Sequence, residues 1–154
     1  MKKGHLLAII VLSCFAILTG CIKNQPYSTT INPSLSASIG SYNFIAATVV
    51  PSTLDSQVHD SITGLIITAQ SSDVMLPNDK IELFVTKYKG ITGTYSIVQQ
   101  QAGAYYIHSG ITSVAAGGVV AITSIGSGTV TGYFSFTTYD GLAVKNGIFT
   151  VGKP

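Results

Sequence analysis

The side chains of this chain that are equipped for chemistry are few: three histidines, six acids and two cysteines among 154 residues. Their spacing decides what they could do. His59-Asp60 has metal-ligand character, and beyond the first stretch of chain the other histidine is His108. Catalytic zinc takes three protein ligands and keeps one position open. Two histidines and an aspartate from distant segments make a poor set, and solvated loop and strand positions account for them better. Asp55, Asp60, Asp73 and Asp79 fall in polar stretches that invite calcium, yet none follows the alternating spacing of an EF-hand loop. Aspartates in such places commonly close turns. Glu82, the sole glutamate, stands in an alternating stretch flanked by Lys80 and Lys87, which suits an exposed strand face rather than half of an acid pair.

Nucleophilic chemistry has no better support. There is no Gly-x-Ser-x-Gly elbow and, past position 21, no Ser-x-x-Lys pair. Gly126-Ser127-Gly128 leads into a strand with no following lysine, so turn formation explains it and a phosphate cradle does not. No catalytic residue, metal site or dissociable cofactor is expected.

One cysteine carries a specific chemistry. Lys2 and Lys3 precede an apolar run from Leu6 to Leu18, broken only by Ser13. Thirteen helical residues span about 20 Å, short of a hydrocarbon core of roughly 30 Å, which favours a cleaved signal peptide over residues 1–20. Leu18-Thr19-Gly20-Cys21 then matches the bacterial lipobox, in which a diacylglycerol is joined to the thiol of Cys21 before cleavage in front of it. Two or more acyl chains hold a protein firmly to a bilayer where one does not. Cys14 leaves with the leader and Cys21 is consumed by the lipid. The remaining chain therefore has neither a free thiol nor a disulfide to rely on.

Losing the leader also changes the charge. Six lysines then face six acids, and the chain contains no arginine. A neutral domain without arginine has no footprint for nucleic acid and no polybasic patch for anionic lipid. About 130 residues remain, enough for one core. Residues 21–38, rich in Asn, Ser, Thr and Pro, read as a flexible tether, and residues 39–154 as the folded domain.

The elements that must position any site are strands. Val, Ile, Thr, Tyr and Phe dominate from Ile39 onward, punctuated by glycines and Pro-Asn and Asp-Gly pairs. Strands are expected near Tyr42 to Val49, closed by Pro51; Ile62 to Gln70; Ile81 to Lys87; Thr94 to Val98; Ala104 to His108; and Gly117 to Thr123. Val130, Gly132, Phe134 and Phe136 share one face of a further strand, and Asp140-Gly141 suits a tight turn after it. On the return, Leu142 and Val144 are out of phase with Phe149 and Val151. A parity change inside one strand is what a β-bulge produces, and Asn146-Gly147 tolerates the left-handed backbone it needs. The pattern predicts an all-β domain, an antiparallel β-sandwich or small barrel.

Tyrosine supplies the candidate binding surface. Tyr95, Tyr105, Tyr106, Tyr133 and Tyr139 fall on or beside expected strands, and exposed tyrosines give amphipathic contact area for a protein or glycan. Packing beneath loops and cross-strand pairing are the competing roles.

Gly93-Thr94-Tyr95, Ala104-Tyr105-Tyr106, the run Gly128 to Phe136 and Asn146-Gly147-Ile148-Phe149, together with the lipobox start, resemble a family of small lipoproteins of Bacteroidota whose function is unknown. The resemblance covers roughly Ile39 to Val151. It implies the anchor and a β-rich domain, and carries no activity. The expectation is a non-enzymatic binding domain for a protein or glycan, held on the outer membrane of a bacterial envelope. An accessory subunit of an envelope complex is the alternative, and a hydrolase with an unrecognised site the remotest. Ile22-Lys23-Asn24-Gln25 carries no acid, which favours a periplasm-facing domain over a surface-exposed one.

Lipidation at Cys21 predicts that Cys21→Ala abolishes incorporation of labelled palmitate. Continued labelling of that variant would refute the assignment, and proteolysis of intact cells would report which way the domain faces.

Overall fold

The computed structural model describes residues 32–54, 64–74, 76, 78–86 and 88–154. The leader, the lipobox Leu18-Thr19-Gly20-Cys21 and the pair His59-Asp60 lie outside them.

Burial alternates along the strands, which is the signature of a sheet with one dry face. In β4 (Lys80–Val85), Ile81, Leu83 and Val85 are fully buried while Lys80, Glu82 and Phe84 are only half-covered. In β8 (Thr129–Thr138), Val130, Phe134 and Phe136 point inward, and Tyr133 and Thr137 outward. Nine strands form among the described residues: β1 (Ser34–Ile39), β2 (Tyr42–Leu54), β3 (Gly64–Ser71), β4, β5 (Gly93–Ser96), β6 (Ala102–His108), β7 (Ile111–Ile125), β8 and β9 (Ala143–Gly152). Every pairing between them is antiparallel.

Of the two expected architectures, the barrel is the one that forms. The order β7-β6-β4-β3-β2-β1-β9-β8 returns to β7, so eight strands close on themselves. Successive members are neighbours, as in an up-and-down barrel. β5 is the exception, laid against Val119–Ile122 of β7 outside the ring. The outward faces carry much Ser and Thr, such as Ser36 and Ser38 on β1 and Thr131 and Ser135 on β8. Transmembrane barrels show the reverse, apolar toward lipid.

Several boundaries differ from the sequence expectation, each for a visible reason. Ser34–Ile39, most of it assigned to the tether, is β1. Leu35, Ala37 and Ile39 are buried between serines, a period-two pattern that the serine-rich composition hides. β2 does not end before Pro51 but runs through it to Leu54. β1 pairs only with Tyr42–Ile45, so Pro51 lies where β2 has a paired neighbour on β3 alone, a setting in which a strand tolerates proline. β7 starts earlier than Gly117 because Ile111–Val114 already pair with β6 before the strand goes on to pair with β8 and β5.

The bulge expected at Asn146-Gly147 is present. Both neighbours of β9 skip one residue there, and Asn146 has φ of 52°. The shift brings Gly147 opposite Phe134, while Gly132 stands opposite Phe149. A Cβ on Gly132 would come within 2.0 Å of the Ala121 carbonyl oxygen and 2.4 Å of the Phe149 ring. One on Gly147 would come within 2.5 Å of the Phe134 ring. Each glycine thus leaves the space that the other strand's phenylalanine fills. Burying such a ring is worth roughly 1.5–3 kcal/mol.

Gly132→Ala and Gly147→Ala should each cost about 1–3 kcal/mol by overpacking, Gly132→Ala the more because backbone cannot yield. Gly103→Ala, whose Cβ would meet only Phe84 at 3.8 Å, is the neutral control. Urea midpoints at constant m-value measure the difference, and equal midpoints for Gly132→Ala and Gly103→Ala would overturn this account.

Candidate functional site

The two ends of the barrel are built differently. At one end the connection from β4 to β6 sends Tyr88, Tyr95 and Ile97 into the core. At the other end the core turns polar: Ser71, Asp79 and Thr138 are the buried polar side chains among the described residues, and all three sit there. Above them opens a cleft of about 650 Å³, within the range of small-ligand sites. Ile39, Leu76, Ile111 and Leu142 form its apolar wall; Tyr42, Tyr106, His108, Ser113 and Asp140 supply polar atoms.

Strand register assembles the centre of this site. β4 and β6 pair with Lys80 opposite Ile107 and Ile81 opposite Tyr106. Extending that register by one residue sets Asp79 against His108. Tyr106 and His108, two apart on β6, share the inward side, and their rings lie at 6.1 Å and 21°. Asp79 is 1% exposed. Its carboxylate accepts the Tyr106 hydroxyl at 2.5 Å and lies 3.0 Å from His108 Nδ1 through each oxygen. A carboxylate acceptor assigns a proton to Nδ1 and leaves Nε2 as the free ring nitrogen. His108 itself is half exposed and lines the cleft. Backbone bonds fix the turn that carries Asp79, with Ser71 N–H donating to the Asp79 carbonyl at 2.8 Å. Beside it the hydroxyls of Tyr42 and Ser71 share a hydrogen bond of 3.1 Å.

The rim holds a second carboxylate. Asp140, in the turn from β8 to β9, accepts the Thr138 hydroxyl on one oxygen and the Ser113 hydroxyl at 2.8 Å on the other. Those two hydrogen bonds, Thr138's first, hold its carboxyl below the usual value of 3.8. Gly141, with φ of 85°, lets the chain turn back so that Leu142 N–H reaches Thr138 Oγ1 at 3.0 Å. The arrangement orients a histidine and a carboxylate over an apolar wall. Its two serine hydroxyls are both engaged, Ser113 donating to Asp140 and Ser71 pairing with Tyr42. Among the described residues no three of His, Cys, Asp and Glu gather where a metal would need them.

The five tyrosines singled out from the sequence do not form one surface. Tyr95 is buried, its hydroxyl donating to the Ile91 carbonyl at 3.1 Å. Tyr106 is inside the barrel. Tyr105 is half-buried on the outer face, edge-on to Phe84 with centroids 5.1 Å apart. Tyr133 lies on the outer face of β8, and Tyr139 is exposed in the turn before Asp140. Only Tyr106 contributes to the cleft. Asp79 and His108, noted in the sequence only as a turn acid and a lone histidine, are the pair that the register joins. Tyr42, Ser71, Ser113, Thr138 and Asp140 carried no local signal of a site. Glu82 faces outward, paired with Thr68 and Tyr105. No known family, curated protein or solved structure matches this chain.

Burial, then the bond to Asp79, pushes the Tyr106 hydroxyl well above its ordinary value of 10.0. Above about pH 10 the folded barrel therefore keeps a proton that the unfolded chain releases, and stability falls as pH rises. Burial likewise raises Tyr88 and Tyr95, so Tyr106→Phe should flatten this alkaline slope without abolishing it. At neutral pH the same variant should lose about 1–3 kcal/mol, because Asp79 loses a donor. Urea midpoints at neutral pH and above about pH 10 measure both effects; an unchanged alkaline slope would count against the assignment.

Proposed function

We propose that this chain is a membrane-anchored envelope lipoprotein whose barrel is a non-enzymatic binding module, with the cleft at its mouth as the place of contact. The observation that carries this reading is that, tyrosines aside, the buried polar side chains described, Ser71, Asp79 and Thr138, gather beneath one open cleft. Burying polar groups is costly unless they are satisfied. A barrel held only by its core would have no reason to place them at one end.

The anchor rests on the lipobox and the neutral charge of the chain behind it. β1 begins at the end of the barrel away from the cleft, where Ser34 pairs with Thr150, and finishes at the mouth with Ile39. An accessory role in an envelope complex has a separate support. Ile45 and Ile148, 58% and 60% exposed, flank Ser36 across β2, β1 and β9, and Tyr133 follows on β8.

Native mass spectrometry of the full chain extracted from its own membranes should show a bound small molecule. Leu142→Trp, which fills the cleft, should remove it. A bound species kept by Leu142→Trp, or none in either form, would overturn the cleft reading. A protein partner lost on Ile148→Lys but kept by Leu142→Trp would favour the accessory role instead.

A further inference from the structure

We infer that the mouth cleft selects a ligand bearing a primary ammonium group on an apolar body. This rests on the cleft being the binding site, and adds the chemistry of what enters it. The wall of Ile39, Leu76, Ile111 and Leu142 offers apolar contact to the body of such a ligand. Its polar side chains are the Asp140 carboxylate, His108 and the hydroxyls of Tyr42, Tyr106 and Ser113. Asp140 lies on the rim, oriented by the hydroxyls of Thr138 and Ser113, which fix its direction without neutralising it. His108 has its Nδ1 committed to Asp79, which leaves Nε2 as its free ring nitrogen. Among the described residues no lysine lines the cleft, and the chain has no arginine.

Charge complementarity separates the ligand classes. A carboxylate or phosphate would meet Asp140 with no lysine or arginine among the described lining residues to offset the repulsion. A neutral hydroxyl compound would satisfy the acceptors but leave the charge of Asp140 unpaired. An ammonium group brings three donors and a compensating charge. It is the headgroup these walls fit.

The experiment uses the full acylated chain in phosphatidylcholine nanodiscs, titrated with hexylamine, hexanol and hexanoate, with free concentrations corrected for uptake by protein-free nanodiscs. Amide NMR shifts of Ile111, Gly141 and Leu142 report occupancy. Hexylamine should bind about fivefold more tightly than hexanol, the scale of an exposed ion pair, with hexanoate weakest. Asp140→Asn should erase the amine preference, and Glu82→Gln, on the outer wall, should leave it intact. Equal affinity for hexylamine and hexanol, or a preference that survives Asp140→Asn, would overturn the ammonium inference while the cleft reading stands. So would mouth shifts with N-acetylglucosamine where hexylamine gives none. Shifts confined to residues away from the mouth, or no shifts with any probe, would overturn both.

Discussion

A closed ring of eight strands encloses a space of fixed width, just wide enough for its own side chains. What fills it must match in volume, and here the match is made where β8 meets β9. Gly132 faces Phe149 and Gly147 faces Phe134, so two rings occupy the two places where a side chain is missing. The bulge at Asn146 makes this exchange possible by resetting the parity of β9 midway. Without it, Phe149 and Val151 would point to solvent and the interior would lack two large side chains. The closing seam and the filling of the core are one constraint.

The mouth depends on that filling. Because Phe44, Phe134, Leu35 and their neighbours occupy the middle of the barrel with almost no exposure, nothing can pass deep inside. A ligand space is left only where the inward rows run out. There the inward positions become Ser71, Asp79, Tyr106 and Thr138, and each hydroxyl or carboxylate finds a partner. A buried carboxylate stripped of its donors is expensive. Tyr106 and His108 are therefore as much part of the support for Asp79 as they are part of the cleft.

Much of the fold was legible because strand periodicity is local. The inward faces of β4 and β8, the turn at Asp140-Gly141 and the parity change in β9 follow from the order of apolar and polar residues. β1 was missed because serine alternating with Leu35, Ala37 and Ile39 lowers the average hydropathy without destroying the alternation. β2 runs past the stop that Pro51 suggests, because a place beyond the reach of β1 makes proline tolerable.

The sequence by itself determined most of the strand content, the inward and outward faces, the balance of six lysines and six acids from Cys21 onward and the lipobox chemistry expected at Cys21, because each depends on residue type and short-range order. It also bounded the chemistry, through the scarcity of histidine and acids. Only the tertiary structure decided between sandwich and barrel, since that choice lies in whether β7 and β8 pair to close the ring. Only it joined Asp79 to His108, 29 residues apart, and dispersed the tyrosines to different faces. Register between strands distant in sequence sets these contacts, and a register exists only once the ring has closed.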